Sequence, residues 1–269
     1  MKEIKWYFPD NLKEVSALFK KDGVIPHGGG TGILKASMSS VKGLIDLALL
    51  PLGFFRVNNG TIEIGAAQTY AEVIENMRKI DPEHILVKAL SVSASTPLRN
   101  RITVGGSIAL FPPWSDLMGP LIALDAEVSL CGSREGDFNI TSYVNDRHLA
   151  RGNLITGIKI NRDRWTGYYY RETRTHFDYP AFTVTILLKK AGKVIEDTRI
   201  VIVGCTGRFR RLLELEEYIK GRDAGRVEPK GISEKIKIDF TGKKSLSPAY
   251  IKHLVKVRIE RGLATVLGN

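Results

Sequence analysis

Cysteine is nearly missing from this sequence: 269 residues contain two, Cys131 and Cys205, separated by 74 positions, with no C-x-x-C spacing and no adjoining histidine pair. That pattern does not suit zinc or an iron–sulfur cluster held by this chain alone, and two reduced thiols are expected. The histidines His27, His84, His148, His176 and His253 are scattered, without H-E-x-x-H or H-x-E spacing, so no metal site is expected either. No apolar run approaches the roughly 20 residues of a membrane helix, and Met1-Lys2-Glu3-Ile4-Lys5 lacks the apolar core of a signal peptide. A cytoplasmic protein without membrane insertion follows. Also missing is any ordered Ser-His-Asp or paired-carboxylate constellation, so no catalytic acid, base or nucleophile is assigned.

What is present describes an ordinary folded protein, with 43% hydrophobic residues and a mean hydropathy of -0.08. The length suits one large or two modest domains. Its net charge of +11 is unevenly placed. Residues 1–163 carry 18 Lys+Arg against 17 Asp+Glu, whereas residues 164–269 carry 22 against 12, so the basic excess belongs to the last third. A nucleic-acid surface is one reading. Against it, no binding motif is recognisable there and glutamates are mixed among the cations, which suits a solvated face or a docking surface for an acidic partner.

The stretch around which the chain is organised is Gly28-Gly29-Gly30-Thr31-Gly32, entered from Val24 and Ile25 and left through Ile33 and Leu34. Four glycines in five positions discard side-chain packing and offer free backbone N–H groups, positive φ and close approach, the requirements of a phosphate or pyrophosphate. The run is not a Walker loop, because Ile33 follows Gly32, and not G-x-G-x-x-G, because Ile33 stands where the third glycine belongs. Taken alone it is also compatible with a plain turn.

A second stretch, Arg99 to Ala109, again runs an apolar segment into paired glycines, Gly105 and Gly106, followed by the hydroxyl of Ser107. Two such cradles, with Asp116 downstream as an acceptor for a ribose hydroxyl, suit a ligand that has both pyrophosphate and ribose. The plainer alternatives are a strand position for Thr103 and a helix cap for Asp116.

Between these landmarks, Asn11-Leu12-Lys13-Glu14 has the form of a capping box opening a helix through Phe19. Strands are predicted at Ile4 to Phe8, Val24 to Pro26 and Leu44 to Leu47, and a hairpin pairs Phe54 to Val57 with Thr61 to Gly65 across Asn58-Asn59-Gly60. Apolar spacing predicts a helix over Tyr70 to Ile80 capped by Thr69, then a short one at His84 to Val92. Later come strands at Phe182 to Lys189 and Arg199 to Gly204, a helix at Phe209 to Lys220, and a final helix capped by Ser247 with Pro248 at its first position.

These residues carry a family resemblance. Gly28 to Leu34 resembles the A-G-G-[TH]-[DS]-L-L segment of the FAD-binding medium subunits of molybdenum hydroxylases, the group of carbon monoxide dehydrogenase and xanthine dehydrogenase-like enzymes. Arg99-Asn100 with Thr103 to Ser107 resembles their R-N-x-x-T-I-G-G-N. Ile64-Gly65-Ala66, Ser115-Asp116-Leu117, Leu124-Asp125-Ala126 and Leu154 to Ile160 follow in the family's order, and Tyr168 to Asp178 is similar to the segment opening its C-terminal domain. Gly28, Gly32 and Ser107 replace the usual Ala, Asp or Ser, and Asn.

The resemblance implies an α+β fold: a PCMH-type (vanillyl-alcohol oxidase-like) FAD-binding domain of two subdomains over 1–163, then a small C-terminal α+β domain over 164–269. It implies cofactor contacts at Gly28, Gly29, Gly30, Thr31, Gly32, Ile33, Ala66, Thr103, Gly105, Gly106, Ser107, Asp116, Ile158 and Tyr168, where Tyr168 and Tyr170 would shield the isoalloxazine. Arg174 and Asp178 read as a structural ion pair. The implied function is electron transfer through FAD, with a molybdopterin-containing large subunit and an iron–sulfur small subunit carrying two 2Fe-2S clusters as partners, and NAD, a quinone or oxygen as acceptor. A free-standing FAD-dependent oxidoreductase and, less favoured, a basic nucleic-acid-binding protein are the alternatives.

Overall fold

A computed structural model describes residues 4–33, 38–176, 178–242 and 246–268. In chain order the first elements are β1 (Lys5–Tyr7), α1 (Leu12–Leu18), β2 (Val24–His27), β3 (Gly43–Asp46), β4 (Phe55–Val57), β5 (Thr61–Gly65) and α2 (Tyr70–Ile80). Next come α3 (Ile85–Ser91), α4 (Thr96–Arg99), α5 (Val104–Leu110), α6 (Met118–Ala123), β6 (Glu127–Gly132), β7 (Gly136–Asn139), α7 (Ile140–Asn145), α8 (Arg147–Ala150) and β8 (Asn153–Asn161). The remainder is β9 (Thr166–Glu172), β10 (Phe182–Ala191), β11 (Val194–Cys205), β12 (Arg208–Arg211), α9 (Leu213–Ile219) and α10 (Pro248–Leu267).

These elements form two compact units, each discontinuous in sequence. The first draws on 1–76, 95–111 and 124–162, the second on 77–94, 112–123 and 163–269. Residues before 163 therefore enter both units.

The first unit contains two sheets. One is parallel, in the order β1-β3-β2, with Trp6 opposite Leu44 and Leu44 opposite Ile25. The other is antiparallel, in the order β4-β5-β8-β6-β7. Alternation builds its core face: Ile62, Ile64, Val128, Leu130, Ile158 and Ile160 are buried at two-residue spacing. Helix α1 starts where its capping residue dictates, since the Asn11 side chain accepts from Glu14 N at 3.0 Å and donates to Glu14 Oε1 at 3.0 Å. Its Val15 packs into one cluster with Val24 and Ile45 of the parallel sheet and Leu154 of the antiparallel one.

The second unit is layered around the antiparallel sheet β12-β11-β10-β9. Strand β10 is buried on both faces, and period two divides its side chains. Phe182, Val184, Ile186 and Leu188 meet Ile251, Val255, Ile259 and Leu263 of α10. Across the other face, Thr183 and Thr185 approach Gly119 of α6, where a β-carbon would lie 2.8 Å from Thr185 Oγ1. Helix α10 carries the predicted cap, with the Ser247 hydroxyl accepting from Tyr250 N at 3.2 Å and Pro248 at the first turn. One expectation changes: Phe209 to Arg211 are not helical but lie in β12, paired to Val201–Val203 of β11, and helix begins only at Leu213. Arg208-Phe209-Arg210-Arg211 alternates in exposure as an edge strand does, and the ladder with β11 outweighs the helical spacing of its apolar residues.

Among the described residues no helix is long and apolar enough to cross a membrane, and no group of three or more His, Cys, Asp or Glu could hold a metal ion.

Candidate functional site

Strand β2 runs parallel to β3 and ends at His27, so the glycine run begins where the sheet stops. Ligands of open sheets containing parallel strands commonly lie off that carboxyl end. Each glycine there has its own necessity. A β-carbon on Gly29 would lie 1.5 Å from the Arg101 carbonyl oxygen, a backbone collision that no rotamer relieves. Gly30 has φ +76, in the left-handed region that favours glycine. Among the described residues, the N–H groups of Gly29, Gly30, Thr31 and Gly32 have no hydrogen-bond acceptor. Four adjacent unmatched donors with no β-carbon at three of the positions make a cradle suited to phosphate oxygens without a lysine. Leu34, at the predicted exit, lies outside the described residues.

The second glycine stretch is built differently. Thr103 is the N-cap of α5: its hydroxyl accepts from Gly106 N at 3.2 Å, and its carbonyl accepts from Ser107 N at 3.0 Å and Ser107 Oγ at 2.8 Å. Val104 N donates to the Gln68 carbonyl and Gly105 N to the Ala66 carbonyl, at 2.9 and 2.8 Å. The N–H groups of Gly105, Gly106 and Ser107, expected to form a second cradle, are thus committed within the fold. Gly105 serves packing, since its β-carbon would lie 2.8 Å from that of Ala66. Gly106 is exposed, and a β-carbon there would meet only the Thr103 hydroxyl, at 2.9 Å.

The fold nevertheless brings the two stretches together. Arg101 Nε donates to the Gly29 carbonyl at 3.2 Å, and a β-carbon on Gly28 would lie 3.1 Å from Thr103 Oγ1. Gly32 abuts Leu110 of α5. Ala66 and Ile158 belong to the same unit but are buried, Ala66 donating its amide to Thr156 and Ile158 pairing with Ile64 in the β5–β8 ladder. Ala66 packs against Gly105 of α5. Ile33 is half-buried at the loop exit.

Asp116 and Tyr168 belong to the second unit. The Asp116 carboxylate is 5% exposed, and its Oδ1 accepts from Tyr169 OH at 2.6 Å and Arg171 Nε at 3.1 Å. Burial pushes its pKa up, opposed by Arg171 and by hydrogen bonds from Tyr169 and Ser93. The oxygen expected to accept from a ribose is therefore already occupied by two donors. Tyr168 packs on α10, where a β-carbon on Gly262 would lie 2.5 Å from its ring, and burial raises its phenol pKa. Tyr170 donates to Glu172 at 2.8 Å beneath the Arg258 guanidinium, its pKa pushed up to about 12, first by burial. Arg174 and Asp178 form the expected pair at 3.2 Å.

Two residues that bear on the site were not singled out in the sequence. Arg101 shapes the first loop with both its carbonyl and its guanidinium, and Arg171 holds Asp116 together with the carbonyls of Val92, His176 and Asp178. The contacts to Gly29, Asp116 and Val92 span 72, 55 and 79 positions, which no local pattern signals.

A parallel sheet ending in an open donor loop, with an antiparallel sheet in the same unit, is an α+β arrangement that offers the donors a phosphate-bearing cofactor uses. More specifically, the chain belongs to the family described as the FAD binding domain in molybdopterin dehydrogenase, which matches residues 2–162. It resembles the FAD-binding medium subunits of molybdenum hydroxylases along most of its length. It is 25% identical over 246 residues to the glyceraldehyde dehydrogenase medium chain of Sulfolobus acidocaldarius, covering 87% of each chain. With the nicotine 6-hydroxylase medium subunit of Paenarthrobacter nicotinovorans it shares 26% identity over 257 residues, covering 91% of this chain and 87% of that one. Among solved structures, a chain of carbon monoxide dehydrogenase from Hydrogenophaga pseudoflava superposes with a TM-score of 0.91 at 18% identity, covering 99% and 98% of the two chains. The fold is the PCMH-type FAD-binding fold in its general form.

Proposed function

We propose that this chain is the FAD-binding, electron-transferring subunit of a molybdenum hydroxylase complex in the cytoplasm. It would receive electrons from a subunit with two 2Fe-2S clusters, which are filled by a molybdopterin-containing large subunit, and deliver them to an external acceptor. The single observation that carries the reading is the Gly29–Gly32 cradle at the carboxyl end of β2, whose N–H groups are unmatched among the described residues. Family membership supplies the identity of the guest, and relatives named as medium chain and medium subunit support an assembly of several chains.

In this reading the chain's work is binding and placement. The donors of Gly29, Gly30, Thr31 and Gly32 hold the pyrophosphate, whose two negative charges match the partial positive charge of aligned amides. Arg101, bonded to the Gly29 carbonyl, keeps those amides aimed outward. Gly32 abuts Leu110 of α5, which borders the loop on that side. Bound FAD supplies exchange between one-electron and two-electron transfer, which is why the chain needs no acid, base or nucleophile of its own.

Purified with its native partners, the protein is expected to be yellow and to release FAD on denaturation. Protein that is colourless and takes up no FAD on reconstitution would overturn the proposal. Co-purification decides the assembly: a molybdopterin chain and a cluster-bearing chain should elute with it, whereas a flavin-loaded chain eluting alone would indicate a free-standing oxidoreductase.

A further inference from the structure

Part of the basic excess of the last third converges on one cavity of the second unit. Past the end of α9, beside the single helical turns Ala224–Arg226 and Ile232–Lys235, lies a hollow of about 260 Å³. Arg222, Arg226, Lys230 and Lys235 line it, against one carboxylate, Glu228. Two of the cations share a ring. The Arg222 guanidinium carbon lies 4.0 Å from the Tyr218 ring centroid and the Lys235 ammonium 4.4 Å from it, and Arg222 Nε also donates to the Tyr218 carbonyl. Among the described residues none of the four cations forms an ion pair with a carboxylate. The backbone that carries them is anchored. Val227 and Ile232 are buried in one cluster with Ile251, Val255 and Ile259 of α10, Gly231 N donates to Glu260 Oε1 at 3.2 Å, and Asp223 accepts from Gly225 N at 2.8 Å.

Like charges gathered around one hollow repel, and a bound anion relieves them. Spread over a convex face, the same four groups would each be screened by water and salt. Arginine forks match phosphate oxygens in pairs, and lysines add point charges. A hollow of this volume takes a compact ligand, not the footprint of about 800 Å² that an ordinary partner chain covers. We propose that this cavity binds a compact polyanion with adjacent phosphates, held by Arg222, Arg226, Lys230 and Lys235, with the Tyr218 ring holding two of them in place. The ligand is separate from the cofactor. The cavity belongs to the second unit and the Gly29–Gly32 cradle to the first, so the inference does not depend on the FAD reading.

The test titrates pyrophosphate and ATP by calorimetry into full-length, flavin-loaded protein freed of excess FAD, with a glutamate-rich peptide in parallel. Saturable binding of one pyrophosphate per chain is expected. Arg226→Gln and Lys230→Gln, both at exposed positions, should each weaken it about tenfold, the effect of losing one charge-assisted hydrogen bond. Arg164→Gln, the same charge change outside the cavity, should leave it unaltered. So should Gly29→Val, which disables the cradle; a loss there would put the anion on the cradle and overturn the proposal while leaving the FAD reading intact. Equal affinity for ATP and pyrophosphate identifies phosphates as all that is recognised, and tighter ATP adds the nucleoside; either result supports the site. No saturable binding, an equal loss in Arg164→Gln, or a glutamate-rich peptide that binds more tightly than pyrophosphate would overturn it, the last result assigning the cavity to an acidic partner.

Discussion

Gly28 to Gly32 and Thr103 to Ser107 both place adjacent glycines beside a hydroxyl residue, and both lie in the first unit. In the first, four consecutive N–H groups lack acceptors among the described residues, whereas in the second every N–H from Val104 to Ser107 has one. Two local differences account for this. Gly30 at φ +76 takes the first stretch out of helical geometry, and among the described residues no side chain accepts from its N–H groups. Thr103 starts a helix, so its hydroxyl and carbonyl absorb the donors that follow, and the Ala66 carbonyl takes Gly105. A glycine pair thus offers open donors only where the backbone around it leaves them unmatched. The second stretch contributes to the site by approach: Arg101 and Thr103 wall the first loop, and Gly106 leaves open surface beside it.

The comparison can be broken most severely at Gly29. Gly29→Val drives a β-carbon into the Arg101 carbonyl, so flavin content of the purified protein, read by absorbance, should fall by about tenfold or more and the melting temperature should drop, overpacking typically costing about 1–3 kcal/mol. Normal flavin content would show that this close approach does not shape the site.

A smaller loss is expected from Gly106→Val, which places bulk on an exposed position with little around it. Flavin occupancy should fall partly while urea unfolding shifts by less than about 1 kcal/mol, the range of helix propensities. Full occupancy would mean that the start of α5 does not border the ligand.

Thr103→Val sharpens the contrast from the other side, since it frees Gly106 N without adding a clash. Loss of the cap should cost about 1 kcal/mol in urea unfolding and be mostly restored by Thr103→Ser. Flavin measured at saturating FAD should be unchanged. A flavin loss as large as that of Gly29→Val would mean that the Thr103 hydroxyl serves the ligand and not the helix.

The smallest effect on flavin is expected at His84, in the second unit. Its Nδ1 caps α3 by accepting from Leu86 N at 3.2 Å, and burial lowers its pKa from 6.5 to about 4, against the pull of Asp81. With the folded value below the unfolded one, the unfolded chain takes up the proton first. Stability should be full above about pH 6.5 and decline as pH falls towards about 4. His84→Asn keeps a cap acceptor and should flatten that slope in thermal melts recorded across the window, with flavin content unchanged. An unaltered slope would assign the acid sensitivity to other groups.

Much of the local structure is legible in residue types. Asn11 with Glu14, Thr69 with Glu72, and Ser247 with Pro248 mark helix starts because their side chains bond backbone or each other within three positions. Asn58-Asn59-Gly60 turns the β4–β5 hairpin through the Asn58 N–H to Thr61 carbonyl bond with Gly60 at φ +98, and α2 spans the predicted residues. The site is legible only in part. The first glycine run could be recognised as a candidate cradle, but the committed donors of α5, the occupied carboxylate of Asp116 and the strand at Arg208–Arg211 each depend on residues distant in the chain.

The sequence by itself determined where segments begin and end, which faces are apolar, and which family the chain resembles, because capping, turn chemistry and side-chain period are short-range properties. Only the tertiary structure decided that residues 77–94 and 112–123 join 163–269 in one unit, that Arg101 closes on Gly29, and that one of two similar glycine stretches keeps its donors unmatched among the described residues. A hydrogen bond consumes a donor regardless of how far along the chain its acceptor lies, so which amides stay open is decided by the assembled fold.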